Sequence, residues 1–158
     1  MLFRSLAFDY GLYQMIMAFA NGARLVLERS FAFPAEVLRV VVEEKVTGFP
    51  GVPTIYAVLD ARTEREVDTS SLRFLVCGAA PMPAELIVRF EERFGVPVVE
   101  GYGLSESSVA SNINPLDGPR KPGTVGIALP GQEVAVVSPS GEQLPPGTRG
   151  EEIGRAHV

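Results

Sequence analysis

Short apolar runs alternate along the chain with stretches whose apolar residues recur at helical spacing. That alternation is the signature of βαβ units, and it predicts an α/β fold with a largely parallel sheet flanked by helices. Residues 24–28 (Arg-Leu-Val-Leu-Glu) read as a strand. Pro34 suits the first turn of a helix, after which Val37, Leu38, Val41 and Val42 share one face and Glu36, Glu43, Glu44 and Lys45 lie off it. Residues 46–49 read as a second strand, and Pro53 opens a second helix carrying Ile55, Tyr56 and Leu59 inward. The charged run at residues 62–66 is expected to be its solvated end.

The next unit repeats the pattern most clearly. Residues 72–76 predict a strand, Gly78-Ala79-Ala80-Pro81 a tight loop, and residues 83–94 a helix with Leu86, Ile87, Phe90 and Phe94 inward. Gly95 is placed to end that helix. Residues 96–100 form the following strand and run directly into Gly101-Tyr102-Gly103-Leu104-Ser105-Glu106. This loop therefore sits at the carboxyl end of a sheet strand, where open α/β sheets place their ligands. From Asn114 helical periodicity stops, Pro and Gly become dense, and residues 132–137 alternate before a Ser-Pro-Ser-Gly turn. The expected organisation is a partial α/β subdomain over 1–113 and the start of an antiparallel β subdomain over 114–151.

Composition narrows the chemistry. With 158 residues, 14 basic and 19 acidic side chains and a net charge of −5, the chain has no electrostatic footprint for nucleic acid or anionic lipid. Its single cysteine, Cys77, cannot form an internal disulfide, which fits a reducing, cytoplasmic compartment. The single histidine, His157, lies beside the C-terminus, so Ser-His-Asp hydrolysis and histidine-ligated zinc are not expected. No transmembrane segment is expected, because Arg4, Asp9, Gln14 and Arg24 break the apolar stretch at residues 2–26. Asp9 and Gln14 also interrupt the apolar core that a signal peptide ending at Ala18-Phe19-Ala20 would need.

The loop at residues 101–106 fails two familiar tests. Glu106 stands where a dinucleotide fingerprint needs its third glycine, and Ser107 stands where a nucleophile elbow needs its second. Two readings remain. In one, a glycine-hinged loop presents a ring for a base, a hydroxyl for a phosphate oxygen and a carboxylate for Mg²⁺. In the other, the segment is a strand-to-helix turn with Ser105 as N-cap and Glu106 favoured by the helix dipole.

The loop is one of an ordered series: Phe49-Pro50-Gly51-Val52-Pro53-Thr54, Cys77-Gly78-Ala79-Ala80-Pro81-Met82-Pro83, the Tyr102 loop, Lys121-Pro122-Gly123-Thr124-Val125-Gly126, and Gly141-Glu142 with Pro146-Gly147 before Gly150-Glu151. In that order and spacing the chain resembles the AMP-binding, adenylate-forming family of acyl-CoA synthetases, adenylation domains and luciferases, from Leu6 to Glu151. The resemblance implies an incomplete N-terminal domain of such an enzyme, using ATP, Mg²⁺ and coenzyme A on a carboxylic acid. It implies Tyr102 on adenine between Gly101 and Gly103, Ser105 at the phosphates, and Glu106 on Mg²⁺. Gly78, Ala79, Ala80 and Pro81 would line the adenine site, and Phe49, Gly51 and the Phe8 to Tyr13 segment the acyl pocket.

Two departures stand out. Ser105 replaces the family's usual threonine, keeping the hydroxyl without the β-branch. Asp9 follows Phe8 where many acyl-CoA synthetases have histidine, and so resembles the start of peptide-synthetase adenylation domains. A carrier protein is thus the alternative acyl acceptor, and a non-catalytic nucleotide-binding or structural module the alternative from another class. The family's lysine-containing phosphate loop, ribose-binding aspartate and C-terminal catalytic lysine have no counterpart here, so the isolated chain is expected not to turn over. Residues 152–158 (Glu-Ile-Gly-Arg-Ala-His-Val) resemble a translated sequencing adapter, and native sequence is expected to end near Glu151.

Overall fold

A computed structural model describes residues 8–28, 30–62 and 67–156, with side chains to residue 153. His157 and residues 63–66 of the charged run lie outside the described residues. The chain begins with α1 (Asp9–Ala20), then α2 (Pro34–Glu43), β1 (Gly48–Gly51), α3 (Pro53–Arg62), β2 (Phe74–Cys77), α4 (Ala84–Phe94) and β3 (Val98–Tyr102). A three-residue 3₁₀ turn (Ser105–Ser107) follows, then β4 (Asn112–Ile113), β5 (Ile127–Ala128), β6 (Gln132–Val137) and β7 (Glu151–Ala156). Strands β1 to β5 form one sheet in sequential order, and β6 and β7 form a second. β1, β2 and β3 pair in parallel, whereas β4 and β5 extend the same sheet antiparallel. The first sheet thus reaches residue 128.

Helix ends follow their sequence signals. Pro34 occupies the first turn of α2. Gly95 closes α4 in the left-handed conformation at φ 64°, its amide bonded to Glu91 O at 2.9 Å. Strand starts run two residues later than the pattern predicts. At β1 the cause is a Schellman closure of α2: Lys45 adopts φ 49°, its amide donates to Val42 O and the Val46 amide to Val41 O. Val46 is consumed by the helix end and leaves the strand to begin at Gly48. At β3 the Pro97 nitrogen has no proton to donate, and Val98 is the first strand residue.

Of the strand expected at residues 24–28, Leu27 makes a β-bridge, and the segment belongs to neither of the two named sheets. Arg24 is instead bound to the α2 terminus, pairing with the Glu44 carboxylate and donating to the Glu44 carbonyl at 2.8 Å. The expected tail contributes residues 152–156 to β7, paired with β6 through Glu152↔Val136 and Ala156↔Gln132. Among the described residues no helix is long and apolar enough to cross a membrane.

The core lies between one face of the first sheet and α2, α3 and α4. Val37, Leu38 and Val41 from α2, Ile55, Tyr56 and Leu59 from α3, and Leu86, Ile87 and Phe90 from α4 meet Phe49, Leu75, Cys77 and Val98 there. Tyr56 is 0% exposed and stacks edge-on between Phe49 and Phe90 at centroid separations of 6.2 and 5.4 Å. Its hydroxyl is satisfied by Val76 O at 2.8 Å and Phe49 O at 3.0 Å. Side chains alternate across a strand, so Gly48, Pro50, Phe74 and Val76 face the opposite side, which α1 flanks.

Candidate functional site

That second face carries a cleft of about 570 Å³. Its floor is the sheet, and α1 contributes Asp9, Tyr10, Gln14 and Met17 to its wall. The carboxyl ends of β2 and β3 close it with Gly78, Ala79, Gly101, Tyr102 and Gly103. Two loops that are separate in sequence therefore meet at one end of one cavity, as the parallel pairing of β2 with β3 requires.

Tyr10 pins α1 to this end of the sheet. Its hydroxyl reaches Val76 O at 3.0 Å and Gly51 O at 3.3 Å, so Val76 O receives both Tyr10 and Tyr56 from opposite faces. Gly78 is buried beneath the Tyr10 ring, whose nearest atom would lie 3.2 Å from an added Cβ. Ala79 turns the loop at φ 67°, a conformation that costs an L-residue about 1 kcal/mol or more. Ala79, Ala80 and Pro81 are left exposed.

Tyr102 is the last residue of β3 and is half-buried. Beyond it the chain doubles back tightly. A Cβ on Gly103 would lie 2.0 Å from Val109 O, so only glycine fits. Leu104, rather than Ser105, occupies the cap of the short 3₁₀ turn, and no longer helix follows. The capping reading of Ser105 therefore fails: its hydroxyl donates to the Asp9 carboxylate at the start of α1. The hydroxyl that holds the turn together is Ser107, which accepts the Leu104 amide at 3.3 Å and lies 2.7 Å from Ser111 Oγ, both serines being buried. Ser108 and Val109 then adopt φ 61° and 74°, the latter an outlier for a β-branched residue.

Ser105 and Glu106 are both exposed just past Gly103, outside the residues that line the cleft, with Ser105 tied to its wall through Asp9. Among the described residues no three His, Cys, Asp or Glu side chains cluster closely enough to cage a metal. The single exposed carboxylate of Glu106 is a donor of the kind Mg²⁺ accepts, because that ion takes one or two carboxylates and completes its shell with waters and substrate phosphates.

The acid-pocket expectations divide. Gly51 ends β1 and its carbonyl accepts the Gly78 amide at 3.3 Å, but it does not line the cleft: an added Cβ would lie 3.0 Å from the Tyr56 ring on the core side. Phe49 is not brought to the cleft either: it is 2% exposed, on the core face against Tyr56, and Pro50 takes the cleft side. Phe8 caps α1 and is 46% exposed, and the cleft wall uses Asp9, Tyr10, Gln14 and Met17 of α1 rather than Phe8 or Tyr13.

One site residue escaped the motif reading. Glu100, 8% exposed, accepts the Met82 amide on Oε1 at 3.4 Å and the Gly123 amide on Oε2 at 3.1 Å. The signal was a carboxylate ending an otherwise apolar strand run at residues 96–100. Beside it Cys77 is buried, and burial, reinforced by the Glu100 charge, pushes its thiol up to about 12. A thiol held protonated in this way is not a nucleophile.

The family model described as AMP-binding enzyme matches residues 1–155. The chain belongs to that family. It is similar to a feruloyl-CoA synthase of an Amycolatopsis species, 40% identical over 135 residues that cover 83% of this chain and 27% of the relative. It is also similar to a long-chain-fatty-acid–CoA ligase of Bacillus subtilis (strain 168), 39% identical over 122 residues covering 76% of this chain and 22% of the relative. Among solved structures, the anthranilate CoA ligase AuaEII in complex with anthranoyl-AMP superposes with a TM-score of 0.89 and 30% identity, over 96% of this chain and 30% of that one. The chain thus spans about a quarter of the length of these curated relatives. The fold seen in this AMP-binding segment is a mixed five-stranded sheet with flanking helices and a second, small antiparallel sheet.

Proposed function

We propose that this AMP-binding segment belongs to an ATP-dependent carboxylic acid:CoA ligase that acts on a fatty or aryl acid. The observation that carries this reading is the convergence of the Gly78 loop and Tyr102 at the end of one largely apolar cleft, with the Ser105-Glu106 pair following directly and Ser105 bonded to Asp9 of the cleft wall. Its similarity to a feruloyl-CoA synthase and a long-chain-fatty-acid–CoA ligase supports the acid class.

In the first step the acid carboxylate attacks the α-phosphorus of ATP, and pyrophosphate leaves as the acyl-adenylate forms. In the second the coenzyme A thiol attacks the acyl carbon, its proton departs and AMP is expelled. Both steps need alignment and charge neutralisation more than covalent participation by the protein. Tyr102 offers its ring to adenine, with Gly78, Ala79, Ala80 and Pro81 forming the neighbouring wall. Gly101 and Gly103 keep the backbone close to the nucleotide. The Ser105 hydroxyl donates to a phosphate oxygen. Glu106 is the protein ligand for Mg²⁺, which supplies positive charge against the phosphates when bound. The apolar surface between α1 and the sheet, with Pro50 and Val76 on its floor, receives the acid and excludes water from the mixed anhydride.

The test is acid-dependent exchange of pyrophosphate into ATP by the complete protein carrying this chain, across a panel of fatty and aryl acids. Exchange with at least one acid, followed by thioester formation only when coenzyme A is added, is the expected result. Exchange without any coenzyme A-dependent product would point to a carrier protein as acceptor. Absence of exchange with every acid would remove the ligase reading. The isolated chain is expected to catalyse neither step.

A further inference from the structure

The Ser105 hydroxyl carries one proton, and that proton is committed. It is donated to Asp9 Oδ2, across 96 residues of sequence and from the turn that follows β3. The acceptor is itself held in place. Asp9 Oδ1 takes the Tyr10 amide at 2.7 Å, and the Tyr10 side chain anchors the start of α1 on Val76 O and Gly51 O. Asp9 therefore meets Ser105 from a pinned helix turn rather than from a free loop.

A hydroxyl has one proton, and sharing it between two acceptors weakens both bonds, so a carboxylate and a phosphate oxygen compete for it. A carboxylate beside an arriving phosphate also adds repulsion between like charges. Asp9 is placed to do both.

We propose that Asp9 is a positioning residue that competes with the nucleotide phosphates for the Ser105 proton, so that phosphate binds at Ser105 only when the Asp9 contact is released. The proposal rests on the nucleotide reading above and deepens it. It makes the strength of nucleotide binding a property of α1 as well as of the 101–106 loop. It also gives a physical role to the aspartate that stands where many acyl-CoA synthetases have histidine. The acid and nucleotide regions are thereby joined through one side chain, because Gln14 and Met17 of the same helix line the cleft beyond it.

The test is titration calorimetry of the complete protein with Mg²⁺ and ATP, and separately with adenosine, in four forms: wild type, Asp9→Ala, Ser105→Ala and the double variant. Asp9→Ala is expected to tighten ATP binding about tenfold, the scale of one charge-assisted hydrogen bond returned to the phosphate. Adenosine, which has no phosphate, is expected to bind wild type and Asp9→Ala equally. In the Ser105→Ala background the Asp9 substitution is expected to bring no more than about a twofold gain, the remaining like-charge effect at an exposed site. Asp9→Asn keeps an acceptor for Ser105 but loses the charge, so its gain is expected to fall between wild type and Asp9→Ala. That variant carries the test if Asp9→Ala does not fold. An Asp9 gain that persists in full without Ser105, an equal gain for adenosine, or weaker ATP binding by Asp9→Ala and Asp9→Asn would each overturn the competition while leaving the nucleotide reading in place. Failure of all forms to bind ATP would overturn both.

Discussion

Glu100 accepts the Gly123 backbone amide at 3.1 Å, joining the strand that carries Tyr102 to a loop more than twenty residues downstream. Its other oxygen takes the Met82 amide from the loop after β2. One buried carboxylate thus holds together β3, the loop after β2 and the loop at Gly123, the first two of which supply residues to the cleft. Glu100→Ala removes the acceptor of both amides and is expected to cost about 2 kcal/mol of stability. Glu100→Gln retains one acceptor oxygen and is expected to cost about half as much. Urea denaturation of both variants measures this; an alanine variant within about 0.5 kcal/mol of wild type would show that the tie contributes nothing.

Cys77 adds a pH dependence beside it. Its thiol stays protonated in the folded protein up to about pH 12, against an ordinary value of 9.0, because burial opposes the thiolate and the Glu100 charge adds to that. Below the ordinary value both states are protonated and the contribution is present in full. Above it the unfolded thiol ionises first, the unfolded state holds fewer protons, and stability falls as pH rises toward 12, by at most about 1.4 kcal/mol per unit. Urea midpoints compared between about pH 8 and pH 10.5 should drop further in wild type than in Cys77→Ala, and equal drops would assign the loss to other groups.

Much of this arrangement was legible because local rules and the tertiary fold agree. Pro34, Pro53 and Gly95 mark helix ends in the sequence and do so in the structure, and the inward residues of α2, α3 and α4 follow their periodicity. Residues 24–28 show one limit: an apolar run describes a sheet strand only over the stretch that pairs, and here Leu27 makes a β-bridge while Arg24 is drawn to Glu44. Phe49 shows a second limit. Alternation places Phe49 and Pro50 on opposite faces, but both are apolar, and nothing in their order says which face receives the helices. The Asp9–Ser105 and Glu100–Gly123 contacts were invisible because each joins residues that only the sheet topology brings together.

The doubling back after β3 depends on a missing side chain. Gly103→Ala would place a Cβ 2.0 Å from Val109 O, and the obstructing atom is backbone that cannot rotate away. The loop must open, separating Ser105 and Glu106 from Tyr102. A loss of about 3 kcal/mol or more is expected, together with loss of ATP binding by calorimetry. Full ATP affinity in a folded Gly103→Ala protein would show that the turn geometry is dispensable.

Val76 O offers the sharpest internal comparison, because Tyr10 and Tyr56 donate to it from the two faces of the sheet at 3.0 and 2.8 Å. Tyr56→Phe leaves the ring in the core and removes only the hydroxyl, with Tyr10 still on the carbonyl, so a cost of about 1 kcal/mol is expected. Tyr10→Phe, on a half-buried residue, should cost less, about 0.5 kcal/mol. Removing both strips the carbonyl of its two side-chain donors at the point where β2 enters the Gly78 loop. The double variant should therefore lose more than the two single losses together, by about 0.5 kcal/mol or more, because each hydroxyl partly covers for the other. A urea-denaturation cycle over the four proteins measures that coupling. Strict additivity would mean that the two hydroxyls act independently, and that α1 is held to the sheet by the packing of Tyr10 over Gly78 rather than by the shared carbonyl.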